Sequence, residues 1–126
     1  MSSLADRRDT QRILVGPEFG ISFKLKGHDY QDVRITNLSP GGCFALVGAR
    51  DARLFERGVL LENLTLMHPD LPKAPIIAAV SYVLGSPSTT DPMEMVGIGV
   101  QFQGMDDEAR RALDTWVSVA NMAQPD

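Results

Sequence analysis

The sequence predicts a mainly β chain: a six-stranded antiparallel β-barrel with one C-terminal α-helix and a flexible N-terminal arm. Three observations predict it. Apolar and polar residues alternate with period 2 in short runs separated by turn formers. A helical period occurs once, near the C-terminus. The first ten residues show no period at all. The chain has 126 residues, the size of one domain, and its 44% hydrophobic content can supply a core.

The arm is expected over residues 1–12 and the domain over 13–126. The arm is polar and ends in the basic group Arg7, Arg8 and Arg12. The first strand spans Phe19 to Leu25, where Phe19, Ile21, Phe23 and Leu25 share one face. Gly27 and its neighbours make a hairpin turn, and Tyr30 to Thr36 is the second strand. Asn37-Leu38-Ser39-Pro40-Gly41-Gly42 is dense in turn residues and leads into the apolar run Cys43 to Val47.

A charged loop from Gly48 to Arg57 follows. Val59 to Met67 and Ile76 to Leu84 are two further strands, joined by a loop whose Pro69, Pro72 and Pro75 cannot donate to a ladder. After the polar loop Gly85 to Pro92, Val96 to Phe102 closes the strand series, and Gly97 and Gly99 mark a bend or a close backbone approach. In Asp106 to Met122 the stripe Ala109, Leu113, Trp116, Val117, Ala120 defines an amphipathic helix that packs on the sheet. Asp106, Asp107 and Glu108 suit the positive end of its dipole. Closing the sheet into a barrel removes its exposed edges.

Composition excludes several functions. Twelve basic against sixteen acidic side chains leave a net charge of -4, which opposes sequence-independent binding to nucleic acid or an anionic membrane surface. A groove for single-stranded nucleic acid also needs interleaved aromatics, and only five Phe, two Tyr and one Trp are present. Cys43 is the sole cysteine, so no intrachain disulfide forms, and with His28 and His68 as the only histidines no zinc spacing exists. No apolar run is long enough to span a bilayer and no secretory h-region is visible, so the expected location is the cytoplasm, without membrane insertion. Cys43 reads as a small buried hydrophobe, His28 and His68 as exposed loop residues, and Trp116 and Phe102 as core. No catalytic residues, metal ligands or cofactor are expected, and the chain reads as a non-enzyme.

Two patterns carry chemistry: Arg8-x-x-x-Arg12, preceded by Arg7, and Asn37-x-Ser39-x-x-Gly42, which begins 25 residues after Arg12. Separately, these are what a solvated tail and an ordinary turn use. In this order, with strands between them and a Gly-x-Gly strand plus helix behind, they resemble the PilZ domain family across nearly the whole chain. Val96-Gly97-Ile98-Gly99-Val100-Gln101-Phe102 looks like that family's last strand. The resemblance implies a receptor for the second messenger cyclic di-GMP. Arg8 and Arg12 would reach the ligand from the arm, and Asn37, Ser39, Gly41 and Gly42 would form the barrel surface beneath it. An arginine at position 7 is similar to the family's two-ligand type.

The residues suit that ligand on chemical grounds. A guanidinium grips a guanine O6/N7 edge or a phosphodiester with paired donors, which an ammonium cannot do. Asn37 offers both a donor and an acceptor, Ser39 a hydroxyl of either polarity, and Gly42 an uncovered backbone. The expected output is a ligand-linked change presented to an unidentified effector protein in motility, adhesion, exopolysaccharide production or biofilm formation, by a monomer or homodimer. Only seven residues precede Arg8, so the output is expected through the barrel surface, the helix or a separate protein. The competing reading is a PilZ-like interaction module that binds no nucleotide.

Overall fold

A computed structural model describes residues 12–48, 50–84 and 95–123. The strands are β1 (Ile13–Leu14), β2 (Gly20–Leu25), β3 (His28–Ser39), β4 (Gly42–Gly48), β5 (Leu60–Met67), β6 (Ile76–Leu84) and β7 (Met95–Gly104), followed by the helix α1 (Asp107–Ala123). β2 to β7 are the six strands the sequence predicts. All pair antiparallel in the order β1-β3-β2-β5-β6-β7-β4, and a β3–β4 pairing closes the sheet into a barrel.

Closure depends on the length of β3, whose 12 residues serve two partners. Its N-terminal half pairs with β2, from Leu25↔His28 to Gly20↔Arg34. Its C-terminal half pairs with β4, from Ile35↔Ala45 to Ser39↔Gly42. Where β2 ends, the short β1 continues along the same edge through Ile13↔Leu38 and Leu14↔Asn37. A run of two residues is too short to show alternation, so β1 was not legible in the sequence.

The curvature comes from bulges. Residues Asp32 and Asn63 take φ of 56° and 52° at the register shifts of β3 and β5. A further shift between Ile35 and Asn37 places Thr36 as the extra residue of β3, and one between Val80 and Tyr82 places Ser81 as that of β6. The β2–β3 hairpin turns through Lys26 and Gly27, both at positive φ, the type I′ geometry that matches strand twist.

The inward faces of all strands meet in one core that includes Ile21, Leu38, Leu64, Leu66, Ile98 and Val100. α1 lies against β1 and β3, burying Ala109, Leu113 and Val117, with Trp116 and Ala120 packed at the margin. Asp106 caps it: its carbonyl accepts from the Arg110 N–H and its Oδ1 from the Glu108 N–H. The predicted stripe and acidic start are therefore both realised.

Three expectations change. The turn expected over Asn37 to Gly42 shrinks to Pro40 and Gly41, because β3 runs on to Ser39. The loop Gly48 to Arg57 contains a 3-10 turn, Ala52–Leu54, and drives Phe55 into the core at 1% exposure against the rings of Phe23 and Tyr30. His28 is exposed as expected, but His68 is half-buried, stacked on Phe19 with ring centroids 4.0 Å apart. An apolar ring at the sheet margin offers a flat surface that a loop imidazole can cover.

Candidate functional site

Arg12, the last residue of the first sequence pattern, meets the second pattern on the outer wall of the barrel. Asn37 sits directly opposite Leu14 on one side and Phe44 on the other. Its neighbour Leu38 points into the core with Ile13 and Cys43, so Asn37 faces out. The pairing of β1 with β3 brings Arg12, one residue ahead of Ile13, to the same place. The Arg12 Nη1–H donates to Asn37 Oδ1 at 2.8 Å across 25 residues of sequence. Arg12 is exposed, and its guanidinium carries further N–H donors of the kind that suit a phosphodiester or a guanine edge.

The tight turn after β3 is held by its own side chain. Ser39 is 2% exposed; its Oγ accepts from the Gly42 N–H at 3.1 Å and donates to the Gly42 carbonyl at 3.2 Å. The hydroxyl expected to face a ligand thus fastens the loop that would lie beneath one. Gly41 is tied to the far strand, since its carbonyl accepts from the Phe102 N–H at 2.8 Å. Gly42 has a structural requirement of its own. A Cβ there would run into the Val100 carbonyl oxygen, so β4 and β7 approach too closely for any side chain at that position.

Arg7 and Arg8 lie outside the described residues. Of the seven site residues singled out from sequence, the structure brings together Arg12 and Asn37 on the surface, with Ser39, Gly41 and Gly42 forming the turn next to them.

Cys43 lies beneath this surface, fully buried opposite Leu38. Burial pushes its thiol up to about 12 from 9.0, against a smaller opposing pull from the Arg12 charge. Because the folded value lies above the unfolded one, the neutral thiol's contribution is complete below pH 9.0 and is lost as pH rises toward about 12. Cys43 is therefore expected to resist iodoacetamide at pH 8 in the folded protein and to react once urea unfolds it. Rapid native labelling, followed by mass spectrometry, would contradict this burial.

Sequence reasoning missed the rest of the outer wall. Continuing from Asn37 across the strands, the cross-strand neighbours are Phe44 on β4, Gly99 on β7 and Tyr82 on β6. The Phe44 ring occupies the space a Cβ at Gly97 would need, and the Tyr82 ring that of a Cβ at Gly99. The two glycines were legible as a bend or a close backbone approach; the aromatic side chains that cover them were not. A cleft of about 490 Å³ lies elsewhere, lined by residues such as Phe19, Asp32, Arg34, His68 and Lys73. Its mixed charges and its separation from Arg12 and Asn37 leave the outer wall as the better candidate. Among the described residues no group of His, Cys, Asp or Glu is placed to hold a metal ion, and no helix is long and apolar enough to cross a membrane.

Neither a protein-family model nor a curated protein matches the chain. Solved structures do. The PilZ domain of YcgR from Escherichia coli, with c-di-GMP, superposes at a TM-score of 0.64, with 16% identity over 89% of this chain and 90% of that one. The chain has the PilZ fold. MrkH from K. pneumonia, as its c-di-GMP complex, gives a TM-score of 0.73 at 21% identity over 89% of this chain and 51% of MrkH. The Bacillus subtilis inhibitor of motility, MotI/DgrA, gives 0.69 at 14% identity over 91% of this chain and 51% of its own. The PilZ-like barrel here thus spans about half the length of MrkH and of MotI/DgrA.

Proposed function

We propose that this chain is a cyclic di-GMP receptor rather than an enzyme. The observation that carries the reading is the Arg12–Asn37 hydrogen bond, which joins the arginine pattern to the barrel pattern on an exposed wall. Structures of the same fold have been solved as c-di-GMP complexes, MrkH and YcgR among them, which supports the ligand class. In this reading Arg8 and Arg12 close over the ligand from the arm, with Arg7 holding a second molecule. Asn37 and the turn from Ser39 to Gly42 form the seat.

The mechanism is a ligand-linked ordering of the arm. Fixing a backbone residue costs about 1–2 kcal/mol, so closure waits for the several charge-assisted contacts that the ligand supplies. The closed arm then presents a new surface to an effector protein, in motility or in exopolysaccharide and biofilm control, inside the cytoplasm. MotI/DgrA, described as an inhibitor of motility, supports the first of these outputs.

Arg12→Ala and Arg8→Ala are each expected to weaken binding by about 1–3 kcal/mol, the range for a bidentate guanine contact, while leaving the melting temperature within a few degrees. Calorimetric titration of each variant, paired with a thermal scan, checks both halves. A large loss of folding stability without a specific loss of binding would make the arginines structural and leave the interaction-module reading.

A further inference from the structure

The aromatic pair on the outer wall has no part in the core. Asn37, Phe44, Gly99 and Tyr82 are successive cross-strand neighbours, so they lie at one level around the outside of the barrel, with Phe44 next to Asn37 and Tyr82 next to Gly99. Strands are spaced about 4.8 Å apart, so Phe44 stands beside Asn37, while Tyr82 lies two strands further around the curved wall. Between them β7 carries Gly97 and Gly99, with no side chain to stand up from the sheet. Phe44 and Tyr82 lean into that space, their ring centroids 6.2 Å apart and their planes only 30° from parallel. They sit side by side as tiles, and Tyr82 keeps 38% of its surface exposed.

Covering strand glycines explains why something lies on Gly97 and Gly99, but an aliphatic chain would cover them as well. Two rings laid flat beside an exposed arginine make a different surface. Tyr82 also borders a groove of about 570 Å³ that carries Arg53 and Arg57 with a single acid, Glu56. The tiles therefore lie between two guanidinium-bearing ends. That order, cation, flat apolar surface, cation, complements a ligand in which planar bases alternate with phosphates.

Resting on the receptor reading above, we propose that Phe44 and Tyr82 form a stacking platform for a guanine base of the cyclic dinucleotide gripped at Arg12 and Asn37. Stacking needs no hydrogen-bond partner, so the platform adds affinity for a purine face while Arg12 and Asn37 select the edge.

The test is a cyclic di-GMP titration of the wild-type chain, Phe44→Leu and Tyr82→Leu by calorimetry, with proton NMR of the wild-type Tyr82 ring. Leucine keeps the glycines covered and removes the π face; Tyr82→Phe, which keeps the ring and loses the hydroxyl, is expected to bind like the wild type. Tyr82→Leu is expected to bind about 10-fold more weakly at an unchanged melting temperature. In the wild type, ring-current shifts are expected on the Tyr82 ring protons and on the Gly97 and Gly99 amides. Wild-type binding with unchanged affinity in both leucine variants and a silent Tyr82 ring would overturn the platform and leave the receptor reading standing. Absence of wild-type binding would overturn the receptor reading and the platform with it. Should Phe44→Leu fail to fold, Tyr82→Leu and the ring shifts decide the matter alone.

Discussion

Gly42→Val is expected to cost about 3 kcal/mol or more and to lower the melting temperature by about 10 °C or more. Valine is a good strand residue by propensity, so a loss of this size cannot come from secondary-structure preference. It comes from the Cβ meeting the Val100 carbonyl oxygen, with the Val100 carbonyl carbon and the Gln101 Cα close behind. All three are backbone, so no rotamer change relieves the clash; β4 must move from β7. That movement breaks the ladder beginning at Gly42↔Gln101 and strains the Ser39 staple, which bonds to both the N–H and the carbonyl of Gly42. A thermal scan by circular dichroism reads the result. A stable Gly42→Val protein with wild-type melting would mean that the approach of β4 to β7 is looser than described.

Phe55→Ala is expected to cost about 3–5 kcal/mol, within reach of the whole stability of a domain this size. Phe55 is 1% exposed and meets Phe23 edge-on at 5.9 Å and Tyr30 at 5.5 Å. Removing the ring leaves a void between β2, β3 and the 3-10 turn, and the neighbours are strand residues that cannot collapse into it. Urea denaturation gives the cost, and a loss under 1 kcal/mol would show that the loop packs only loosely on the barrel.

Phe55 also shows what was hidden in the sequence. It stands in Asp51-Ala52-Arg53-Leu54-Phe55-Glu56-Arg57, where charges dominate and no period survives, so local pattern gives a loop. Its burial depends on contacts with Phe23 and Tyr30, more than 20 residues away, which a local reading does not weigh. The strands were legible because each alternates on its own, and α1 because its stripe and acidic start agree. β1 was not, since two residues owe their strand character to the free edge of β3.

The site divides the same way. Arg12 and Asn37 were legible as chemistry, and the structure adds that they touch. Ser39 and Gly42 were legible as motif positions, and the structure adds work the sequence did not show: the hydroxyl holds the turn, and the missing side chain admits β7. Phe44 and Tyr82 are 38 positions apart in sequence and become neighbours only through the β4–β7–β6 register.

The receptor reading is tested most directly by isothermal titration calorimetry of the wild-type chain with cyclic di-GMP, using GTP as the control ligand. Saturable binding at micromolar affinity or tighter, about 8 kcal/mol or more, is predicted, with no comparable heat from GTP. A stoichiometry near two ligands per chain would give Arg7 its place beside Arg8 and Arg12. No binding at about 100 μM, a free energy nearer 5 kcal/mol, would contradict the receptor reading and turn the outer wall over to a protein partner.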